Sequence, residues 1–145
     1  DRFASGTPSI LSMAAMEAGV DLVLEAVIES LRHKSILQAE LLLKMVQEEL
    51  IPLGFLIESP IEYEYRGSHV TLSHPASWQI CQALLAGSKL QPKIIPDFRP
   101  PNFIRFGITP LYTQYKDLLV LVNTLKTIMN TERYLNFSTE KTTVT

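Results

Sequence analysis

The stretch NFIRFGITPLYTQY, residues 102–115, decides how the rest of the chain is read. Residues 102–109 alternate as a strand does, with Ile104, Phe106 and Ile108 on one face and Phe103, Arg105 and Gly107 on the other. The first set is core material. The second contains a permanently charged guanidinium, which is costly to bury unless something negative meets it. Gly107 leaves the space beside Arg105 clear of a side chain. A planar guanidinium donates two parallel hydrogen bonds to a carboxylate, so Arg105 is a candidate carboxylate ligand. An ion pair with a nearby Asp or Glu explains the same residue equally well, and the two readings stand level here.

Working outward, residues 111–131 read as a closing amphipathic helix, and the tail from Glu132 has too little periodicity for more than a peripheral role. Upstream, LQPKIIPDFRPP (90–101) holds four prolines in twelve residues. It is expected to be extended or looping, with a short strand at 93–95. Residues 75–89 form a helix opened by Pro75 and closed near Gly87, and residues 68–74 alternate as a strand with Val70 and Leu72 on its apolar face. A short strand is expected within 55–60. Before it, residues 27–49 read as one long helix with Ile28, Leu31, Ile36, Leu37, Leu41, Leu42, Met45 and Val46 inward. Arg32, His33, Lys34, Gln38, Glu40 and Lys44 form its wet face. Residues 9–18 read as a short helix with Thr7 as N-cap, Pro8 in its first turn and Gly19 at its end. That helix is apolar all round, which predicts burial against a larger body. The order after the long helix is β-β-α-β-α, an α/β two-layer sandwich with a mostly antiparallel sheet.

A chain of 145 residues with 46% hydrophobic and 19% charged residues is ordinary globular material, one compact domain by default. The net charge of −2 and the lack of a basic stripe argue against a nucleic-acid partner. The longest apolar runs, such as residues 118–122, are too short to span a bilayer, which argues against a membrane partner. A single cysteine, Cys81, allows no internal disulfide and fits a reducing compartment, so a cytoplasmic location is expected. Cys81 sits in an apolar helix face and reads as core, not as a nucleophile. His33, His69 and His74 have no ligand spacing, and no metal site is expected. Ser5, Gly6 and Thr7 open a helix and would suit an anion such as a phosphate, although an ordinary N-cap is the simpler account of those residues alone. Arg66 and Arg99 flank strands, either as surface charges or as loop positioners.

Taken together, RFASGTPSIL (2–11), LRHKS (31–35), RGSHVTLSHP (66–75) and FRPPNFIRFGITPLYTQYKDL (98–118) resemble, in order and spacing, the C-terminal part of the kynureninase family. Its members are pyridoxal-phosphate-dependent enzymes of the aspartate aminotransferase fold type. The resemblance implies that residues 1–26 end a large cofactor-binding domain and that residues 27–145 comprise a connecting helix and the C-terminal small domain. It implies hydrolysis of L-kynurenine or 3-hydroxykynurenine to anthranilate or 3-hydroxyanthranilate and L-alanine, in tryptophan catabolism and NAD biosynthesis, by a homodimer. It also implies roles. Arg105 would clamp the substrate α-carboxylate, Gly6 and Thr7 would lie near the substrate's aromatic end, and Thr7 would reach the cofactor phosphate of the neighbouring subunit. That shifts the 5–8 segment from a plain cap to an anion site. The seven lysines, Lys34, Lys44, Lys89, Lys93, Lys116, Lys126 and Lys141, lack the setting of a Schiff-base lysine. The chain is therefore expected to be a C-terminal segment, inactive alone. A stand-alone α/β module that binds a small carboxylate or phosphate is the rival reading. A cysteine desulfurase or aminotransferase of the same fold type is a third, and the RGSHV segment stands against it.

Overall fold

The computed structural model describes Gly6 and residues 9–140. Two helices come first, α1 (Ile10–Ala26) and α2 (Ile28–Met45). Gly19 does not end α1, contrary to expectation. A mid-helix glycine costs only about 1 kcal/mol relative to alanine, and the helix-forming residues on both sides carry the helix through it. The break falls at Val27, which takes the left-handed φ of 61° that a β-branched residue rarely adopts. α1 is apolar but has no buried residue, with Leu11 and Leu24 85% and 69% exposed.

α2 continues through a wide π turn (Val46–Leu50) and a 3-10 turn (Ile51–Leu53), as the predicted length requires, and stops at Gly54. Gly54 has a φ of 92°, and a Cβ there would sit 3.1 Å from His74 Nε2, so this turn needs glycine. The inward stripe of α2 is Ser35, Gln38, Ala39, Leu42, Leu43 and Met45, continued by Val46 of the π turn, while Ile28 and Leu37, expected inward, face solvent. Gln38 thus lies in the core and not on the wet face, because its Nε2 donates to the Thr113 carbonyl at 2.8 Å.

The sheet contains β1 (Leu56–Ile57), β2 (His69–Ser73), β3 (Asp97–Arg99) and β4 (Phe103–Gly107). Their order is β1-β2-β4-β3, and every pairing is antiparallel. The strand expected at 93–95 lies instead at Asp97–Arg99. Ile94 gives its N–H to the Leu84 carbonyl of the preceding helix, and Pro92 and Pro96 have no N–H to give to a ladder.

Between β2 and β3 runs α3 (Ser77–Ala86), which ends at Gly87 with a φ of 62°. After β4 comes α4 (Tyr115–Asn130), which starts later than the pattern suggested. Residues 109–113 form a turn, and Gln114 and Asp117 then close a reciprocal cap. α2, α3 and α4 supply Leu42, Val46, Ile80, Leu84, Leu125 and Ile128 to a core closed by Phe55, Val70, Leu72 and Ile104. The tail is more engaged than its composition suggested. Trp78, Gln79 and Gln82 donate to the carbonyls of Glu140, Phe137 and Ser138, and Arg133 donates to that of Ala83.

His74 joins these layers. It is buried, its ring packs 4.9 Å from that of Phe55, and its Nδ1 accepts the Ala76 N–H at 3.0 Å, just before α3. Burial pulls its pKa below the ordinary histidine value, and a hydrogen bond to the Leu53 carbonyl opposes this only in part. A group whose folded pKa is depressed costs stability once the unfolded chain takes up protons first. The melting temperature should therefore fall as pH drops through about 6.5, and His74→Gln should flatten that part of the curve. Melting curves between about pH 7.5 and 5 check this, and parallel curves for the two proteins would contradict it.

Candidate functional site

The three helices of the core cover one face of the sheet and leave polar residues on the other. Across the strands, Thr71 of β2 stands opposite Arg105 of β4, which stands opposite Asp97 of β3. The flanking rows are Ser73–Phe103–Arg99 and His69–Gly107. Arg105 therefore meets an acid. Its Nε donates to Asp97 Oδ2 at 2.8 Å, and its Nη2 donates to the same oxygen. Arg99 donates to that oxygen too, through Nε at 3.0 Å.

The ion-pair account of Arg105 is therefore satisfied in geometry, but it is weak in energy. The side chains of Arg105 and Asp97 are 39% and 41% exposed, and pairs in such a setting contribute about 0–1 kcal/mol. Two guanidiniums also share one carboxylate, so this cluster is net positive, while Glu58, which accepts from Ser73 Oγ at 2.6 Å, adds a second carboxylate further along the same face. Among the described residues Nη1 of Arg105 has no partner, so one edge of the fork is open. Partial desolvation pushes the Asp97 carboxyl up. The hydrogen bonds and charges of Arg99 and Arg105 outweigh that, hold its pKa below the usual carboxylate value and keep it ionised. Gly107 is exposed, and a Cβ there would meet nothing within 4 Å, so this side of the strand is open.

Other predicted positions fall elsewhere. Gly6 is exposed at a φ of 144° with open space around it, and Thr7 lies outside the described residues. Arg66 is not a surface charge. It is buried and holds the 60–66 loop by donating to the carbonyls of Pro60 and Ile61, and Arg32 of α2 binds the same loop through Tyr63. Sequence reasoning missed the roles of two further residues, both on α2. Lys34 Nζ donates to the Pro110 carbonyl at 2.6 Å, and with Gln38 one turn later it pins the loop that follows β4 to α2. A cavity of about 360 Å³ is lined by Phe106, Ile108, Tyr112, Leu121 and the backbone side of Gly107. Arg105 does not line it.

The described residues do not fit a covalently held pyridoxal phosphate. A Schiff-base lysine must be deprotonated, which calls for a desolvated or electropositive pocket. Lys34 is tied to a carbonyl, Lys126 pairs with Glu49, and Lys44, Lys89, Lys93 and Lys116 are exposed. No group of three His, Cys, Asp or Glu side chains that could hold a metal occurs among the described residues, and no described helix is long and apolar enough to cross a membrane. Cys81 is buried, and its thiol is pushed up to about 12, first by desolvation and then by the charge of Asp97.

A small α/β domain with a four-stranded antiparallel sheet, led in by a long helix, is the architecture of the C-terminal domain of a pyridoxal-phosphate-dependent enzyme. Residues 31–125 match the family model of the kynureninase C-terminal domain, and the chain belongs to the kynureninase family. It is 38% identical over 139 residues to a kynureninase of Bacillus mycoides (strain KBAB4), covering 96% of this chain and 31% of that protein. A kynureninase of Geobacillus thermodenitrificans (strain NG80-2) is 35% identical over the same shares of the two chains. One of Burkholderia mallei (strain SAVP1) is 32% identical over 133 residues, 92% of this chain and 31% of that protein. The chain thus spans about a third of the length of the curated relatives that it matches.

A thiol raised to about 12 and buried should not react. Ellman's reagent at about pH 8 is expected to label Cys81 at least roughly a hundredfold more slowly in the folded chain than in denaturant. Comparable rates would show that the helix face around Cys81 is open.

Proposed function

We propose that this chain acts as the C-terminal segment of a kynureninase that hydrolyses L-kynurenine, or its 3-hydroxy form, to anthranilate or 3-hydroxyanthranilate and L-alanine. The observation that carries the proposal is the half-exposed Arg105, with one fork edge open, in a chain of this family. Its role is to take the substrate's α-carboxylate. Held there, the amino acid is fixed at one end, so that the bond to be cleaved is presented to the rest of the site in one orientation. The loop pinned by Lys34 and Gln38 follows Arg105 and limits how far the end of β4 can move.

Residues 1–26 belong, in this proposal, to the end of a large domain, and residues 27–145 to the connecting helix and small domain. The break at Val27 and the uncovered apolar surface of α1 support that division. Pyridoxal phosphate supplies the electron sink when bound in the whole enzyme. The groups that hold it covalently would come from the two-thirds of the relatives' length that this chain does not span. Gly6 and Thr7 would approach the substrate's aromatic end, and Thr7 the cofactor phosphate across a homodimer. The cytoplasm suits a chain with one unpaired cysteine.

In the enzyme that carries this segment, Arg105→Lys should raise KM for kynurenine by about tenfold or more. A point charge does not reproduce the two parallel bonds, and a charge-assisted bond contributes about 1.5–3 kcal/mol. Arg105→Ala should raise it further, with kcat less affected than KM. Steady-state kinetics decides, and unchanged KM in both variants would remove Arg105 from the substrate site. The 145-residue chain mixed with pyridoxal phosphate should show no absorbance band of a lysine-bound cofactor. Such a band, abolished by borohydride, would contradict the assignment of the cofactor lysine to other segments.

A further inference from the structure

We infer that Asp97 is a positioning residue for Arg105: it grips one edge of the guanidinium and so presents the other edge to the substrate carboxylate. This rests on the assignment of Arg105 to that carboxylate. The register of β3 on β4 places Asp97 directly opposite Arg105, so the contact is built into the strand pairing and does not depend on a flexible loop. Both bonds that Asp97 accepts from Arg105 come from the Nε–Nη2 edge. A planar guanidinium held along that edge has its remaining Nη1 and Nη2 hydrogens aligned as a second, parallel pair of donors, which is the geometry that a carboxylate accepts. An arginine without such a grip would have to order several side-chain torsions when substrate binds.

An acid so close to the anion-binding group would ordinarily weaken it. Arg99 removes that penalty. It donates to the same Oδ2 from two residues away on β3, so the charges of Asp97, Arg99 and Arg105 sum to plus one. Asp97 can therefore orient Arg105 without cancelling it.

The rival role, a simple counter-charge, makes the opposite prediction for one variant. Asp97→Asn removes a negative charge next to the carboxylate site. If Asp97 only balanced charge, substrate would bind more tightly. If it positions Arg105, KM for the amino-acid substrate rises by about tenfold with a smaller change in kcat, because orientation of a charge-assisted pair is lost. Inhibition by the substrate's decarboxylated amine, which has no carboxylate to place, should be unchanged in the same protein. A merely structural defect would not make that distinction. Asp97→Glu should lie between wild type and Asn, which provides a reading even if Asn lowers the melting temperature. In an Arg105→Lys background, Asp97→Asn should add little. A KM for Asp97→Asn that is unchanged or lower overturns the inference. If that result comes with a raised KM in Arg105→Lys, Arg105 keeps its role and only Asp97 loses its own. If Arg105→Lys and Arg105→Ala both have a normal KM, both fall.

Discussion

The five-residue antiparallel pairing of β2 with β4 is the constraint on which the rest of the domain depends. It sets Val70 against Phe106 and Leu72 against Ile104, and these four side chains form the floor on which α2, α3 and α4 pack. Because the side-chain period of a strand is two, a slip of one residue would bury Arg105 and expose Ile104. Burial of the apolar face therefore fixes which residues reach the other. Arg105, Thr71 and His69 stand on the open side because Ile104, Leu72 and Val70 cannot. The site follows from the core.

The hairpin from β3 to β4 extends that logic by one strand. The paired face of β3 carries Asp97 and Arg99 toward the open side, and Phe98 toward the core, where its ring meets that of Trp78 at 5.1 Å. A three-residue strand is a weak element by itself. It holds its register because Phe98 is anchored and because Arg105 reaches across from β4 to Asp97. Acid, base and apolar anchor thus share one short segment, DFR, with packing on one face and charge on the other.

How much of this was legible in the sequence depended on what kind of partner each residue takes. The faces of β2 and β4 could be read directly, because apolar residues at period two have one stable solution. The family could be read from the same segments. The partner of Arg105 could not, because Asp97 lies among prolines that suggest a loop, and a strand of three residues is too short to show alternation. Gln38 and Lys34 were read as solvent-facing since both are polar, whereas each satisfies a backbone carbonyl, an acceptor that carries no sequence signature. The docked tail escaped notice for the same reason. Val27 breaks the usual rule outright, since a β-branched residue takes the left-handed turn that Gly19 was expected to supply.

The two outer strands have a consequence for how copies of this chain meet. β1 is two residues long, and β3 is three residues long with Pro96 on one side and Pro100 on the other. Neither offers the long run of free N–H and C=O groups that a strand from another molecule would need to extend the sheet. The apolar surface of α1 is where copies would adhere, through side chains on a helix. Aggregates of the chain should therefore be amorphous and easily redissolved, and not the ordered cross-β fibres that an unguarded sheet edge seeds.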